Sequence, residues 1–113
     1  SAALLHHLEV RHRRAFVAWH TLSNVWYLLR PRRGGDSVRR FLSELTELAA
    51  VAQTGTDDFR WAAALALSDL EDAMQVAAAR SCGAEYIATR NVRDYEGSPV
   101  PARTPAELLE VLG

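Results

Sequence analysis

Residues 68–95 limit the possible folds more than any other part of this chain. Ser68-Asp69-Leu70-Glu71-Asp72-Ala73-Met74-Gln75 reads as an acidic helix start that leads into a small-residue helix. Gly83 is placed to end that helix, and Glu85 to Ala88 reads as a short apolar strand. The strand runs into a polar segment, Thr89-Arg90-Asn91, with Asp94 three residues on. In open α/β sheets, ligands bind at the carboxyl ends of the strands. Thr89 to Asp94 therefore belongs at a sheet mouth, and Asp69 and Asp72 can reach that mouth from the neighbouring helix. Carboxylates converging there point to a hard divalent cation, Mg²⁺ or Mn²⁺, held through oxygen.

The rest of the chain repeats the alternation of helix and short apolar run. Ala2 to Leu8 reads as the end of a helix, and Arg14 to His20 as a buried strand centred on residues 15–19. Thr21 to Arg30 carries Leu22, Val25, Trp26 and Leu29 at helical spacing, with Pro31 and Gly34-Gly35 ending it. Asp36 or Ser37 is placed to cap a helix to about Ala49, with Val38, Phe41, Leu42, Leu45 and Leu48 on one face. A second strand falls at about 50–53, and Thr56-Asp57-Asp58 opens a helix to about Leu67. Ser68 with Glu71, and Thr104 with Glu107, have capping-box spacing; Pro105 suits the first helical position. Strands separated by helices imply a parallel sheet with crossovers and helices on both faces. The predicted fold is a three-layer α/β/α domain with a short parallel sheet, one domain over residues 1–113.

Composition limits the function classes. At 113 residues and 49% apolar, the chain has the core of a folded domain. Its net charge of −1 gives no overall attraction to nucleic acid, but all 13 basic side chains are Arg, which binds phosphate bidentately. Genomic composition bias explains the same Arg usage. Cys82 is the only cysteine, which excludes an internal disulfide and a Cys-based metal site and fits a reducing cytoplasm. No apolar run reaches membrane-spanning length, so no membrane association is expected. His6, His7, His12 and His20 lack the spacing of a shared transition-metal site. The clusters at Arg11 to Arg14 and Arg30 to Arg33 suit either a phosphate-binding rim or solvated loops. Trp19, Trp26 and Trp61 read as core or interface residues, and the early helix carries more apolar surface than a small sheet buries.

The run from Ser68 through Gly83-Ala84-Glu85-Tyr86-Ile87-Ala88-Thr89-Arg90-Asn91 and Asp94-Tyr95 to the Pro105-Ala106-Glu107-Leu108-Leu109 helix resembles the C-terminal half of a PIN domain. It is closest to the VapC-like toxin branch, whose second helix is similar to Thr21–Arg30. The resemblance covers about residues 19–113. It implies a Mg²⁺- or Mn²⁺-dependent ribonuclease, often a toxin blocked by a small antitoxin. It also implies one further strand at the start, central in the sheet and carrying an essential Asp. That strand has no counterpart before Ala2, and the chain opens at Ser1 in a helical pattern, so an N-terminally incomplete domain is expected.

By this resemblance Asp72 is the helix-borne metal ligand; its other reading is a favourable charge in a helix's first turn. Asp69 is a weaker ligand candidate, and Glu71 is expected to serve the capping box. Asn91 stands where many PIN domains have a ligating Asp, so Asp94 is expected to supply the charge, unless it is a turn acid bonding its own backbone. Thr89 and Arg90 are expected to contact a ligand or phosphate. Asn24 stands where a helical Glu is commoner. Two readings follow. One is a divalent-metal endoribonuclease of toxin type, with Asp72, Asp94 and Asn91 catalytic and Thr89, Arg90 and Asn24 toward substrate. The other is a non-catalytic PIN-like module binding RNA or a protein. In either case a homodimer through residues 2–30 is expected.

Overall fold

In the computed structural model, which describes residues 14–112, helices pack around short parallel strands in the α/β/α manner. Strand β1 (Ala15–Val17) leads into helix α1 (Trp19–Arg33), followed by α2 (Gly35–Leu48), β2 (Ala49–Val51), α3 (Thr56–Ala64) and α4 (Leu70–Ser81). Then come β3 (Ile87–Ala88), a 3-10 turn (Val92–Tyr95), β4 (Ala102–Arg103) and α5 (Pro105–Leu112). The expected helix at 2–8 and the residues around His6, His7 and His12 lie outside the described residues.

The strands form two separate parallel pairs, where one continuous sheet was expected. β1 pairs with β2, aligning Phe16 with Ala50, and β3 pairs with β4, aligning Ile87 with Ala102. β4 was not predicted: a two-residue strand amid prolines carries too short an apolar pattern to register. β1 is also shorter than the expected 15–19, because the Thr21 N–H bonds the Ala18 carbonyl at 3.1 Å and starts α1 at Trp19.

Several helix ends differ from expectation for local reasons. Pro31 does not stop α1, which continues to Arg33; it sits exposed in the last turn, where the carbonyl it leaves free can be met by water. Gly34, at φ +81°, then closes α1 and opens α2. Its N–H bonds Arg30 and its carbonyl accepts from Val38, so α2 starts at Gly35 rather than from an Asp36 or Ser37 cap. A Cβ at Gly35 would come 3.3 Å from the Trp26 ring, so the ring would have to give by a few tenths of an ångström to admit one. α3 ends at Ala64 rather than Leu67, the Leu65 N–H turning back to the Ala62 carbonyl. The Thr104–Glu107 capping box forms as expected, with reciprocal bonds of 3.2 and 2.9 Å.

α4 is the hub of the core. Its Ala73, Val76, Ala77, Ala78 and Ala79 are all buried. Ala73 and Ala77 pack on Ala62 of α3, and Val76 and Ala79 on Ile87, Val100 and Ala102. Ala78 packs on Ala18 and Ala52, beside the ends of β1 and β2. Arg80 lies over the Trp61 ring at 4.5 Å, a cation–π contact fastening α4 to α3. The core is otherwise thin. Val38 and Val76 are the largest side chains fully removed from solvent, and burying a side chain of that size contributes only about 1.5–3 kcal/mol.

Candidate active site

The site is built at the amino end of α4. Asp69, not Ser68, caps this helix: its Oδ1 accepts the Asp72 N–H at 3.0 Å. The expected Ser68–Glu71 box does not form because the helix begins one residue later. Glu71 is thereby released, and its Oε2 accepts from Asn24 Nδ2 at 3.3 Å, tying α4 to α1. One turn further along, Gln75 donates to Thr21 Oγ1 and lies 3.3 Å from His20 Nε2. The start of α1, which follows the carboxyl end of β1, is thus held against the first half of α4.

The segment after β3 reaches the same place. Tyr95 in the 3-10 turn donates its hydroxyl to Asp72 Oδ1 at 3.3 Å. Asp94, exposed in that turn, lies within electrostatic reach of Asp72. Thr89 and Asn91 shape the turn: Thr89 Oγ1 accepts the Asn91 N–H at 3.0 Å, and the Asn91 carbonyl accepts the Asp94 N–H at 3.1 Å. Arg90 stands exposed beside them. Asp72, Asp94, Asp69, Asn91, Thr89, Arg90 and Asn24 therefore all belong to the elements meeting at one mouth. Arg30, Arg32 and Arg33 do not, because they occupy the last turn of α1, about two helical turns beyond Asn24.

Sequence reasoning missed Tyr95 and Gln75. Tyr95 packs against the Val76–Ile87 cluster while its hydroxyl reaches Asp72, a pairing of apolar body and polar tip that sequence spacing does not display. Gln75 carried only a positional clue, one turn from Asp72 on the same helix.

The electrostatics follow from this crowding. Partial burial pushes the Asp72 pKa above its ordinary value, and the neighbouring charges of Asp69, Asp94 and Glu71 push it the same way. The Tyr95 hydroxyl bond opposes them. Burial and the Asp72 carboxylate in turn hold the Tyr95 phenol well above its usual range.

The profile of the PIN domain matches residues 1–93. The chain belongs to the PIN domain family. No curated protein and no solved structure matches it. PIN domains are nuclease-type domains that generally work with divalent metal ions.

Whether this PIN domain's residues fit such an ion depends on the donors in place. Among the described residues, no three His, Cys, Asp or Glu side chains gather closely enough to form a metal cage. One Asp69 oxygen is engaged in the helix cap and one Asp72 oxygen accepts from Tyr95. What remains is a hard-oxygen donor set, Asp72 and Asp94 with the second Asp69 oxygen and the neutral Asn91. Such oxygens are of the hard type that divalent cations such as Mg²⁺ take, and among the described residues they are not gathered into a cage. The set does not fit a soft, cage-bound metal.

The crowding has a pH signature. A carboxyl whose folded pKa is raised holds its proton more readily in the folded state than in the unfolded one. Stability therefore falls as pH rises from the ordinary value of 3.8 through the raised folded value, and the penalty persists at neutral pH. Asp72→Asn removes the charge but keeps an acceptor for Tyr95. Thermal melts should show it more stable than the parent at pH 7, with the difference shrinking below pH 3.8. A variant less stable than the parent at pH 7 would contradict this account of the cluster.

Proposed function

We propose that this PIN domain is a divalent-metal-dependent endoribonuclease of toxin type that hydrolyses RNA phosphodiester bonds. The observation that carries the reading is the meeting of Asp69, Glu71, Asp72 and Asp94 at one mouth of a PIN framework. Unrelieved, that much negative charge repels a polyanion; a bound cation turns the same charge into the means of holding one. Asp72 and Asp94 would hold the ion, with Asp69 behind them. When bound, the ion activates water and screens charge developing on the phosphate.

The chain's own residues do the positioning. Tyr95 holds one Asp72 oxygen, which leaves the other toward the mouth. Asn24 keeps Glu71 turned to α1. Thr89 fixes the backbone at Asn91, so that the Asn91 side chain can offer a neutral oxygen beside Asp94. Arg90 is free to meet an RNA phosphate with its guanidinium.

Association follows from α1. None of its residues is buried, and Trp19, Tyr27 and Leu28 are 71%, 66% and 72% exposed. That apolar surface supports a homodimer, and the toxin reading implies an antitoxin as the other protein partner. Light scattering at micromolar concentration should give twice the chain mass; a monomer throughout would remove the dimer from the reading.

The second reading, a PIN-like module that binds RNA without cleaving it, is favoured by Asn24 and Asn91 standing where carboxylates would strengthen an ion site. One assay separates the two. With Mn²⁺ or Mg²⁺ the protein should cleave single-stranded RNA and stop in EDTA. Asp72→Asn should lose about 100-fold or more, since an anionic ligand is replaced by an amide of similar size. Metal-independent binding with no cleavage would establish the second reading, and full activity of Asp72→Asn would remove Asp72 from the chemistry.

A further inference from the structure

The far end of α1 and the start of α2 concentrate positive charge. Five of the 13 arginines fall within residues 30–40. Arg30, Arg32 and Arg33 occupy the last turn of α1, Arg39 and Arg40 follow in α2, and all five are exposed. Asp36 stands at helical spacing from Arg39 and Arg40, and Glu44 from Arg40, so the charge on α2 is partly offset. α1 contains no acid, and from Arg14 to Ser43 the sequence has only Asp36. The charge at the end of α1 has no offset within its own helix.

Two of these guanidiniums are held in place. Arg30 lies 5.5 Å from the Trp26 ring centre and 5.9 Å from that of Tyr27, and Arg39 reaches the same Trp26 ring from α2 at 5.5 Å. Trp26 itself lies against Gly35 at the corner between the helices. Stacking uses the flat face of a guanidinium and leaves its in-plane N–H edge free. That edge takes a phosphate in two parallel bonds. A cation ordered in advance loses less entropy when it binds. Helix-dipole complementarity accounts for Arg30, Arg32 and Arg33 at the end of α1. It does not account for Arg39, in the second turn of α2, or for one ring that gathers arginines from both helices.

The patch fits a partner with clustered negative charge, and the α1 of a second copy carries none. Position selects among polyanions. Asn24 of the same helix borders the mouth, and Arg30 to Arg33 follow it by six to nine residues, about 9–14 Å along the axis. Stacked nucleotides advance about 3.4 Å each, so a strand lying at the mouth reaches the patch in about three to four nucleotides. The mouth is acidic and by itself repels such a strand, so the holding charge has to lie elsewhere on the surface.

We infer that Arg30, Arg32 and Arg33 of α1, with Arg39 of α2, form a second phosphate-binding site, which anchors a single-stranded RNA backbone about three to four nucleotides from the phosphodiester at the Asp72 mouth. Phosphate contacts carry no base information, so the anchor is blind to sequence. It makes substrate length the determinant: RNA that spans both places binds more tightly than RNA that fills the mouth alone. The identity of the polyanion rests on the nuclease reading; the phosphate site does not.

The test uses the chain as given and a fluorescent RNA dodecamer, 2′-O-methylated so that it cannot be cleaved. Arg32→Gln with Arg33→Gln removes two exposed charges and leaves the stacked Arg30 and Arg39 in place. Arg60→Glu changes the net charge by the same amount at an exposed position of α3. By fluorescence anisotropy in Mg²⁺, the double variant should bind about tenfold more weakly, equally for oligo(U) and oligo(A). Its slope of log affinity against log salt should be shallower by about 1.4, the equivalent of two phosphate contacts on a single strand. Arg60→Glu should stay within about twofold of the parent, because exposed charges away from the strand are screened. Equal losses in the two variants would overturn the inference, since diffuse charge would then suffice. So would parental affinity in the double variant, absence of RNA binding, or displacement of the RNA by poly-glutamate at equal charge, which would give the patch to an acidic protein. Cleavage separates this inference from the nuclease reading. On an unmodified dodecamer the double variant should raise KM about tenfold with kcat unchanged. A dinucleotide, whose single phosphate cannot occupy both places, should be cut alike by variant and parent. Patch-dependent binding without cleavage would remove the nuclease reading and leave the phosphate site standing; cleavage with an unchanged KM would do the reverse.

Discussion

Everything in this domain leans on the small-residue surface of α4. Among the described residues, each of the three buried clusters takes residues from that one helix, Ala73 and Ala77 toward α3, Ala78 toward the ends of β1 and β2, and Val76 and Ala79 toward β3 and β4. Alanines let neighbouring backbones come close on several sides at once, since interaxial distance follows the size of the contacting side chains. The result is a helix that serves as a fixed post, with its amino end held by α1 and by the turn after β3.

Because the post is fixed, the charges at its end are fixed too. Asp69 is committed to the helix cap, Glu71 to Asn24, and Asp72 in part to Tyr95. None of these bonds neutralises a carboxylate. Each instead holds the anions near one another, so that Asp72 rises in pKa under the fields of Asp69, Asp94 and Glu71 as well as its own burial. Among the described residues, the hydrogen-bond partners of Asp69, Glu71 and Asp72 are amide and hydroxyl groups.

Much of this was legible in the sequence, and the misses have physical reasons. The alternation of helix and apolar run gave α1, α2, α3, α4 and the parallel pairing of β1 with β2, because both periodicities are strong over those lengths. The acid-rich start of α4 and the Thr89–Asp94 segment pointed to one mouth; the Tyr95–Asp72 bond and the field of Asp94 at Asp72 link the two segments. The cap of α4 was off by one residue because Ser68 and Asp69 are both good N-caps, and only the path of the chain after Leu67 decides between them. β4 was invisible because two residues carry no periodicity. The division of the strands into two pairs depends on packing and leaves no mark on the periodicity. Tyr95 was read as part of a motif, and its bond to Asp72 emerges only when the turn is folded against α4.

The central claim is that the Asp72 cluster is made to receive a divalent cation. Paramagnetic broadening by Mn²⁺ tests it without any RNA. Titrated with Mn²⁺ at micromolar levels, the protein should lose amide signals first at Asp72, Asn91 and Asp94. Mg²⁺ in excess should restore them, and Asp72→Asn should abolish the selectivity. Broadening spread evenly over the surface acids, Asp57 and Asp58 no less than Asp72, would contradict the account.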